Sequence, residues 1–256
     1  HEVIREILTK KEHYGDSEIK KDEKVQVEFI SANPTGPLTL ANGRGGFGGD
    51  VLARVFAKAG AKVQREYLIN DGGNQVKILG DSVLVAAGLL KKDDDIYKGE
   101  YIQEWVMDNK KIIEEHQDKP KELGQIAAKD ILEKLIKPSV KGMKINFDDW
   151  FSEQKLIESG EVDKALTDFD KRSLTYTEDN ALWFRTTKYG DDKDRVLRKA
   201  DGENTYFADD TAYHWDKFAV RKFDKVINLW GADHHGYIGR MQAAVEAMGF
   251  GGKLDI

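Results

Sequence analysis

The sequence predicts an α/β protein: a parallel sheet with helices on both faces, interrupted by a mostly helical insertion. Two strand-like segments, 25–30 and 62–69, are each followed by a helical segment after a short joint. Strand–helix–strand–helix order builds right-handed parallel units. The same order resumes near the C-terminus, where the apolar run 226–230 precedes another helical segment. Between these regions, residues 91–172 are charged and helical in pattern.

Taken in order, residues 1–22 open with a short helical pattern (Ile4, Ile7, Leu8) and pass into a charged stretch. In 25–30, Val25, Val27 and Phe29 alternate with Gln26 and Glu28, the period of a strand. Pro34 and Pro37 then prevent either regular element from continuing through 31–37. A helix rich in small residues runs from Gly43 to near Gly60, a strand spans 62–69, and a helix spans about 75–90. The predicted organisation is 1–90 as the first half of a nucleotide-binding domain, 91–180 as the insertion, and 181–256 as a β-hairpin plus the second half. The hairpin pairs 182–186 with 195–198 around Gly190-Asp191-Asp192. A helix over about 209–221, the strand 226–230 and a helix over about 236–248 complete the pattern.

Composition removes several classes. The 256 residues contain no cysteine, which excludes disulfides, thiolate metal sites and a cysteine nucleophile. No apolar run has the length of a membrane span, and the N-terminus lacks the pattern of a signal peptide. The net charge is −6 (40 Lys+Arg against 46 Asp+Glu), which argues against a sequence-independent nucleic-acid coat protein. The chain begins at His1 and stops soon after a helical segment, so it is expected to be a piece of a longer polypeptide.

Four stretches carry candidate chemistry. Gly43-Arg44-Gly45-Gly46-Phe47-Gly48 matches G-x-G-x-x-G literally, but twelve residues and two prolines separate it from its strand. It reads as close helix packing with an anion-compatible helix start rather than a dinucleotide fingerprint. Glu28 and Asn33 flank the carboxyl end of the first strand, where α/β sheets bind ligands. Gly231-Ala232-Asp233-His234-His235-Gly236 follows the 226–230 strand in the equivalent position. Its adjacent histidines point apart and no third ligand follows by spacing, so no protein-bound metal is expected. In Tyr206-Phe207-Ala208-Asp209-Asp210, Asp209 suits a helix N-cap, and Asp210 offers a second carboxylate beside Glu28.

In this order, these pieces resemble arginyl-tRNA synthetase, a class I aminoacyl-tRNA synthetase. The matching stretches are Val27-Glu28-Phe29-Ile30-Ser31-Ala32-Asn33-Pro34-Thr35-Gly36-Pro37-Leu38, Arg65-Glu66-Tyr67-Leu68-Ile69-Asn70-Asp71-Gly72-Gly73-Asn74-Gln75, Phe184-Arg185-Thr186-Thr187, Tyr206 to Asp210 and Gly231 to Tyr237. The resemblance implies a Rossmann-like, HUP-type catalytic domain in a cytoplasmic ligase, with a connective insertion. It implies that arginine and ATP, brought with Mg²⁺, form arginyl-adenylate and that the arginyl group passes to tRNA. It assigns Glu28, Asn33, Tyr206, Asp210 and His234 to arginine, and Thr39, Asn42, Gly231, Asp233 and His235 to ATP. A guanidinium presents five donors in a plane, which two carboxylates and a tyrosine satisfy.

One departure stands out. Thr39-Leu40-Ala41-Asn42 replaces the family's His-x-Gly-His, whose imidazoles bond ATP phosphates as charge develops. Tryptophanyl-tRNA synthetases use Thr-x-Gly-Asn there, so Thr39 and Asn42 remain the catalytic candidates, while the Ala41 methyl crowds the approach of adenine. By the same resemblance, a Lys-Met-Ser-Lys-type loop and the main tRNA-binding domain are expected to lie beyond Ile256. Two rival readings follow: a catalytically impaired synthetase-like module binding arginine as a sensor or protein partner, and another HUP-type nucleotidyl transferase acting on a cationic small molecule.

Overall fold

The computed structural model describes all residues except Asp93, and all side chains except those of Asp93 and Asp233. In chain order the elements are α1 (Glu2–Lys10), β1 (Lys24–Glu28), α2 (Leu40–Lys58), β2 (Lys62–Ile69) and α3 (Gly73–Ala86). Next come α4 (Glu100–Asp108), α5 (Lys110–His116), α6 (Pro120–Ile131), α7 (Lys137–Gly142), β3 (Asp149–Ser152), α8 (Glu153–Glu158) and α9 (Glu161–Lys171). The remainder is β4 (Thr175–Glu178), β5 (Ala181–Phe184), β6 (Arg195–Arg198), α10 (Tyr206–Trp215), β7 (Lys225–Asn228), α11 (His235–Ala247) and β8 (Leu254–Asp255). The main sheet has the order β3-β2-β1-β7-β8. β1 runs parallel to both β2 and β7, and β7 parallel to β8, which agrees with the predicted fold class.

The chain divides into two compact units, residues 1–29, 48–66 and 165–256, and residues 30–47 and 67–164. In the first unit β1 is buried on both faces, as expected of a central parallel strand. Val25, Val27 and Phe29 fill one face without exposure, and Gln26 and Glu28 occupy the other. α2 approaches the apolar face closely enough that a Cβ on Gly49 would lie 2.2 Å from the Phe29 ring. Within the Gly43–Gly48 pattern only Gly46 is packed closely, a Cβ there lying 2.9 Å from the Ile30 side chain, and Gly45 meets nothing within 4 Å. An antiparallel sheet of order β4-β5-β6 completes this unit, with the chain between β5 and β6 turning through Gly190 at φ 98°.

In the second unit α3 and α6 cross at a pair of glycines. A Cβ on Gly80 would lie 1.7 Å from the Pro120 carbonyl oxygen, and one on Gly124 would lie 1.9 Å from that of Val76. Beside the end of β2, Tyr67 stacks on Trp150 at 4.5 Å and meets Phe147 edge-on at 5.3 Å. Large aromatic areas removed from water here anchor the short β3.

Several element bounds differ from the sequence reading. α2 begins at Leu40, three residues before Gly43, so the glycine pattern lies inside a helix rather than in a phosphate-binding turn. α10 begins at Tyr206 and its N-cap is Thr205, whose hydroxyl accepts the Ala208 N–H at 3.3 Å. Asp209 is therefore not the cap; Thr205 is also a cap-forming residue type and lies immediately before the helix. The C-terminal part of the expected 209–221 helix, Asp216–Val220, is a π-helical turn. The strand expected over 226–230 is β7, ending at Asn228. The four-residue strands β3 and β4 fall in a region read as helical; strands this short carry almost no periodicity. Among the described residues, no helix is long and apolar enough to cross a membrane.

Candidate active site

In the first unit, the carboxyl ends of three parallel strands carry a polar row. Glu28 of β1 is in register with Glu66 of β2 on one side and Asn228 of β7 on the other. All three are almost fully buried. Buried charges are costly unless paired and hydrogen-bonded, and α10 with its π turn supplies the partners. Lys217, itself without exposure, donates from Nζ to Glu28 Oε2 at 2.5 Å and to Asn228 Oδ1 at 3.1 Å. Its ammonium also lies 4.2 Å from the centre of the Tyr213 ring. The Tyr213 hydroxyl is 2.5 Å from Glu66 Oε1 and 3.1 Å from Glu28 Oε2. Arg221 binds the Glu66 carboxylate through both terminal nitrogens, and its Nε is 2.6 Å from Asp216.

His214 joins this cluster to the next residue of interest. Its Nδ1 is 2.8 Å from the Asp210 carbonyl, and its Nε2 is 2.9 Å from Asn228 Nδ2. Burial, followed by the Lys217 charge, pushes its pKa down to about 3. His214 is therefore neutral, with Nδ1–H donating to the carbonyl and Nε2 accepting from the Asn228 amide.

Asp210, with its neighbour Asp209, departs from the charge pairing seen around Glu28 and Glu66. Its Oδ2 accepts a hydrogen bond from Tyr237 at 2.6 Å, and no cation lies within ion-pair distance among the described residues. Burial pushes its pKa up to about 6, against the lowering effect of the Tyr237 bond; the Glu28 charge raises it, and Lys217 and His234 lower it. Asp209 is also pushed up to about 6, by burial and then by Asp210. Its Oδ1 is buried without a hydrogen-bond partner among the described residues. Tyr237 is held to its phenol form by burial and by Asp210.

The other candidates of this unit lie around the end of β7. Gly231 is extended, and the 3₁₀ turn Ala232–His234 leads into α11, which begins at His235. The His234 ring is 6.0 Å from Trp230, which also contacts Tyr237 at 5.9 Å. The side chain of Asp233 lies outside the described residues. Tyr206, expected one helical turn before Asp210, is at the start of α10 and 70% exposed. A tyrosine bonded to Asp210 is Tyr237. Among the described residues, no group of three or more metal-ligating side chains is assembled.

In the second unit, the loop after β1 starts with two non-glycine residues at positive φ, Ile30 at 67° and Ser31 at 42°. Such conformations are unfavourable for a β-branched residue and persist where the surroundings over-determine them. Here the Tyr67 hydroxyl donates to the Ala32 carbonyl at 2.8 Å, and Ser31 Oγ accepts the Leu68 N–H at 3.1 Å. Asn33 sits in an amide cluster: its Oδ1 accepts from Asn70 at 2.8 Å and its Nδ2 donates to Gln75. At the start of α2, the Thr39 hydroxyl accepts the Asn42 N–H at 3.3 Å while Asn42 Oδ1 accepts the Thr39 N–H at 2.8 Å. This reciprocal pair is a capping box closing the helix N-terminus. The Thr39 hydroxyl also donates to Asn42 Oδ1 at 2.8 Å, so the two catalytic candidates bond each other.

Residues 3–255 match the family model described as tRNA synthetases class I (R), catalytic domain. The chain belongs to this family. It is 47% identical to the arginine–tRNA ligase of Bacillus subtilis (strain 168) over 269 residues, covering 99% of this chain and 48% of that protein. Arginine–tRNA ligase 1 of Halalkalibacterium halodurans is 45% identical over 260 residues, covering 97% and 46%. The chain thus spans about half the length of the curated relatives it matches. A solved arginyl-tRNA synthetase structure from Campylobacter jejuni superposes at TM-score 0.88 with 35% identity, covering all of this chain and 58% of that one. The Thermus thermophilus arginyl-tRNA synthetase shares the fold at TM-score 0.63 with 19% identity, covering 94% and 49%.

In this arginyl-tRNA synthetase catalytic domain, sequence reasoning named Glu28 and Asp210 as candidates but not the residues bonded to them. Lys217, Asn228, His214 and Tyr213 are ordinary members of a helix or strand in sequence. Their only signal is polarity at positions that the helix and strand patterns bury. Tyr237 closed the Gly231–Tyr237 stretch and was available as a candidate, but its bond to Asp210 depends on how α11 packs beside α10.

Proposed function

We propose that this domain binds arginine and ATP·Mg²⁺ and forms arginyl-adenylate, the arginyl group then passing to tRNA. The carboxylate of arginine would attack the α-phosphorus of ATP and displace pyrophosphate. A terminal ribose hydroxyl of tRNA would then attack the activated carbonyl and release AMP. The observation that carries the reading is Asp210. It is a half-buried carboxylate, fixed by Tyr237, without an ion-pair partner among the described residues, whereas Glu28 and Glu66 are matched by Lys217 and Arg221. A planar cation with several donors supplies what it lacks, and a guanidinium fits that description better than an ammonium.

The other assignments follow the family motifs. Glu28, Tyr206 and His234 are proposed to line the arginine pocket, and Asn33 to bind the main-chain groups of the amino acid. Gly231, Asp233 and His235 are proposed to lie near the adenosine, and Thr39 and Asn42 near the phosphates. The capping box supports a positional role for that last pair, since it fixes the first turn of α2. Residues 91–180 are proposed to be the connective insertion. Magnesium would arrive with ATP and be held mainly by phosphate and water oxygens.

Calorimetric titration with arginine, lysine, citrulline and agmatine tests the binding step, and arginine-dependent ATP–pyrophosphate exchange with and without tRNA tests the chemistry. Arginine is expected to bind and the neutral isostere citrulline to fail. Equal affinity for arginine and citrulline would overturn the guanidinium assignment. Arginine binding without exchange under either condition would replace the enzyme reading with that of a sensor module, and a preference for agmatine would favour a different nucleotidyl transferase.

A further inference from the structure

We infer that Lys217 is the resident counter-ion of Glu28, so that Asp210, and not Glu28, supplies the charge by which the site selects a guanidinium. The inference rests on the arginine-binding reading above and concerns how that site counts charge. Two carboxylates, Glu28 and Asp210, are candidates to face one cationic side chain. Their surroundings differ. Glu28 Oε2 lies 2.5 Å from the fully buried Lys217 ammonium, which Asn228 Oδ1 and the Tyr213 ring hold in place. Asp210 meets a phenol hydroxyl instead.

The two halves of the site are also joined. Going outward from Glu28, the hydrogen bonds pass through Lys217, Asn228 and His214 to the carbonyl of Asp210 itself. The His214 imidazole in this path is neutral, so no further charge enters it. Glu28 can still accept a hydrogen bond from the substrate, but with its charge already matched it adds no net attraction for a cation. Two unmatched carboxylates would carry one more negative charge than the single positive charge of an arginine side chain. The Glu28–Lys217 pair removes that excess.

The test is a charge-balanced cycle on the chain, read by calorimetry with arginine and citrulline. Glu28→Gln alone leaves the Lys217 charge unopposed beside the site, and arginine affinity is expected to fall at least tenfold. Glu28→Gln with Lys217→Met removes both charges, keeps a hydrogen-bond acceptor at position 28, and replaces a buried ion pair with groups of similar volume, a change that is often neutral for stability. The double variant is expected to recover arginine affinity to within about threefold of wild type and to keep rejecting citrulline. A merely structural role for Lys217 would lower the binding-competent fraction, seen as stoichiometry, without changing the arginine-to-citrulline ratio of affinities.

A double variant as weak as Glu28→Gln would overturn the inference, because the substrate would then need the Glu28 charge itself. An unchanged Glu28→Gln would overturn it as well. If Glu28→Gln does not fold, the double variant against wild type decides: recovery supports the inference and a tenfold loss refutes it. Failure of the wild-type chain to bind arginine would refute the arginine reading and the inference with it, a result distinct from a wild type that binds and a cycle that fails.

Discussion

Replacing Asp210 with asparagine should make the protein more stable and less able to bind arginine. Burial lifts the Asp210 pKa from an ordinary 3.8 to about 6, a shift of roughly two units. At about 1.4 kcal/mol per unit, the ionised form is disfavoured in the folded state by about 3 kcal/mol at neutral pH. Water reaching the partly exposed side chain screens part of this, leaving about 2 kcal/mol. Asparagine keeps an acceptor for the Tyr237 hydroxyl and removes the charge. For a chain of this size the gain corresponds to a Tm increase of roughly 4–8 °C at pH 7. The sign follows from proton binding. Between pH 3.8 and about 6 the folded state holds more protons than the unfolded state, so wild-type stability falls as pH rises through that window. Below about pH 4 both states are protonated and the advantage of the variant should vanish. Thermal melts of both proteins from pH 4 to 8, with an arginine titration at pH 7, check the two halves together. A variant no more stable than wild type at pH 7, or one that retains wild-type arginine affinity, would refute the reasoning.

Three further outcomes follow from the same physics. Arginine binding must ionise Asp210, so at pH 6 about half a proton should be released per arginine bound, measurable by calorimetry in buffers of different ionisation enthalpy, and affinity should decline below that pH. Gly80→Ala places a methyl group against the Pro120 carbonyl, where backbone and not a flexible side chain must give way. A net loss of about 2–3 kcal/mol is expected by denaturant unfolding, the clash outweighing the helix-propensity gain of alanine. Thr39→Ala opens the capping box and should cost about 1 kcal/mol in the same assay.

The sequence carried the sheet more clearly than the site. Alternation across 25–30 marked β1, and the segment 62–69, read as a strand, is β2 at its observed bounds. β3 and β4 have four residues each, too few to set against the helical pattern around them. At α10 the sequence reading named Asp209 as the cap, and the helix starts three residues earlier, at Tyr206, with Thr205 as its cap. Glu28 and Asp210 were legible from their positions beside strand end and helix start. Their different electrostatic states were not, because the partner of Glu28 lies 189 residues away in the chain. The Tyr237 bond to Asp210 is the same lesson at shorter range, since it depends on a neighbouring helix.

The loop that follows β1 takes its shape from β2. Ser31 Oγ accepts the main-chain N–H of Leu68, and the Ala32 carbonyl accepts the hydroxyl of the adjacent Tyr67. Deleting a single residue within β2 would reverse the direction of every following N–H and side chain and withdraw both tethers at once. Adding residues to the short connection between α2 and β2, at 59–61, leaves the strand's own alternation untouched. Length variation among related chains should therefore collect in that connection and avoid β2, although β2 lies more than thirty residues along the chain from the loop it holds.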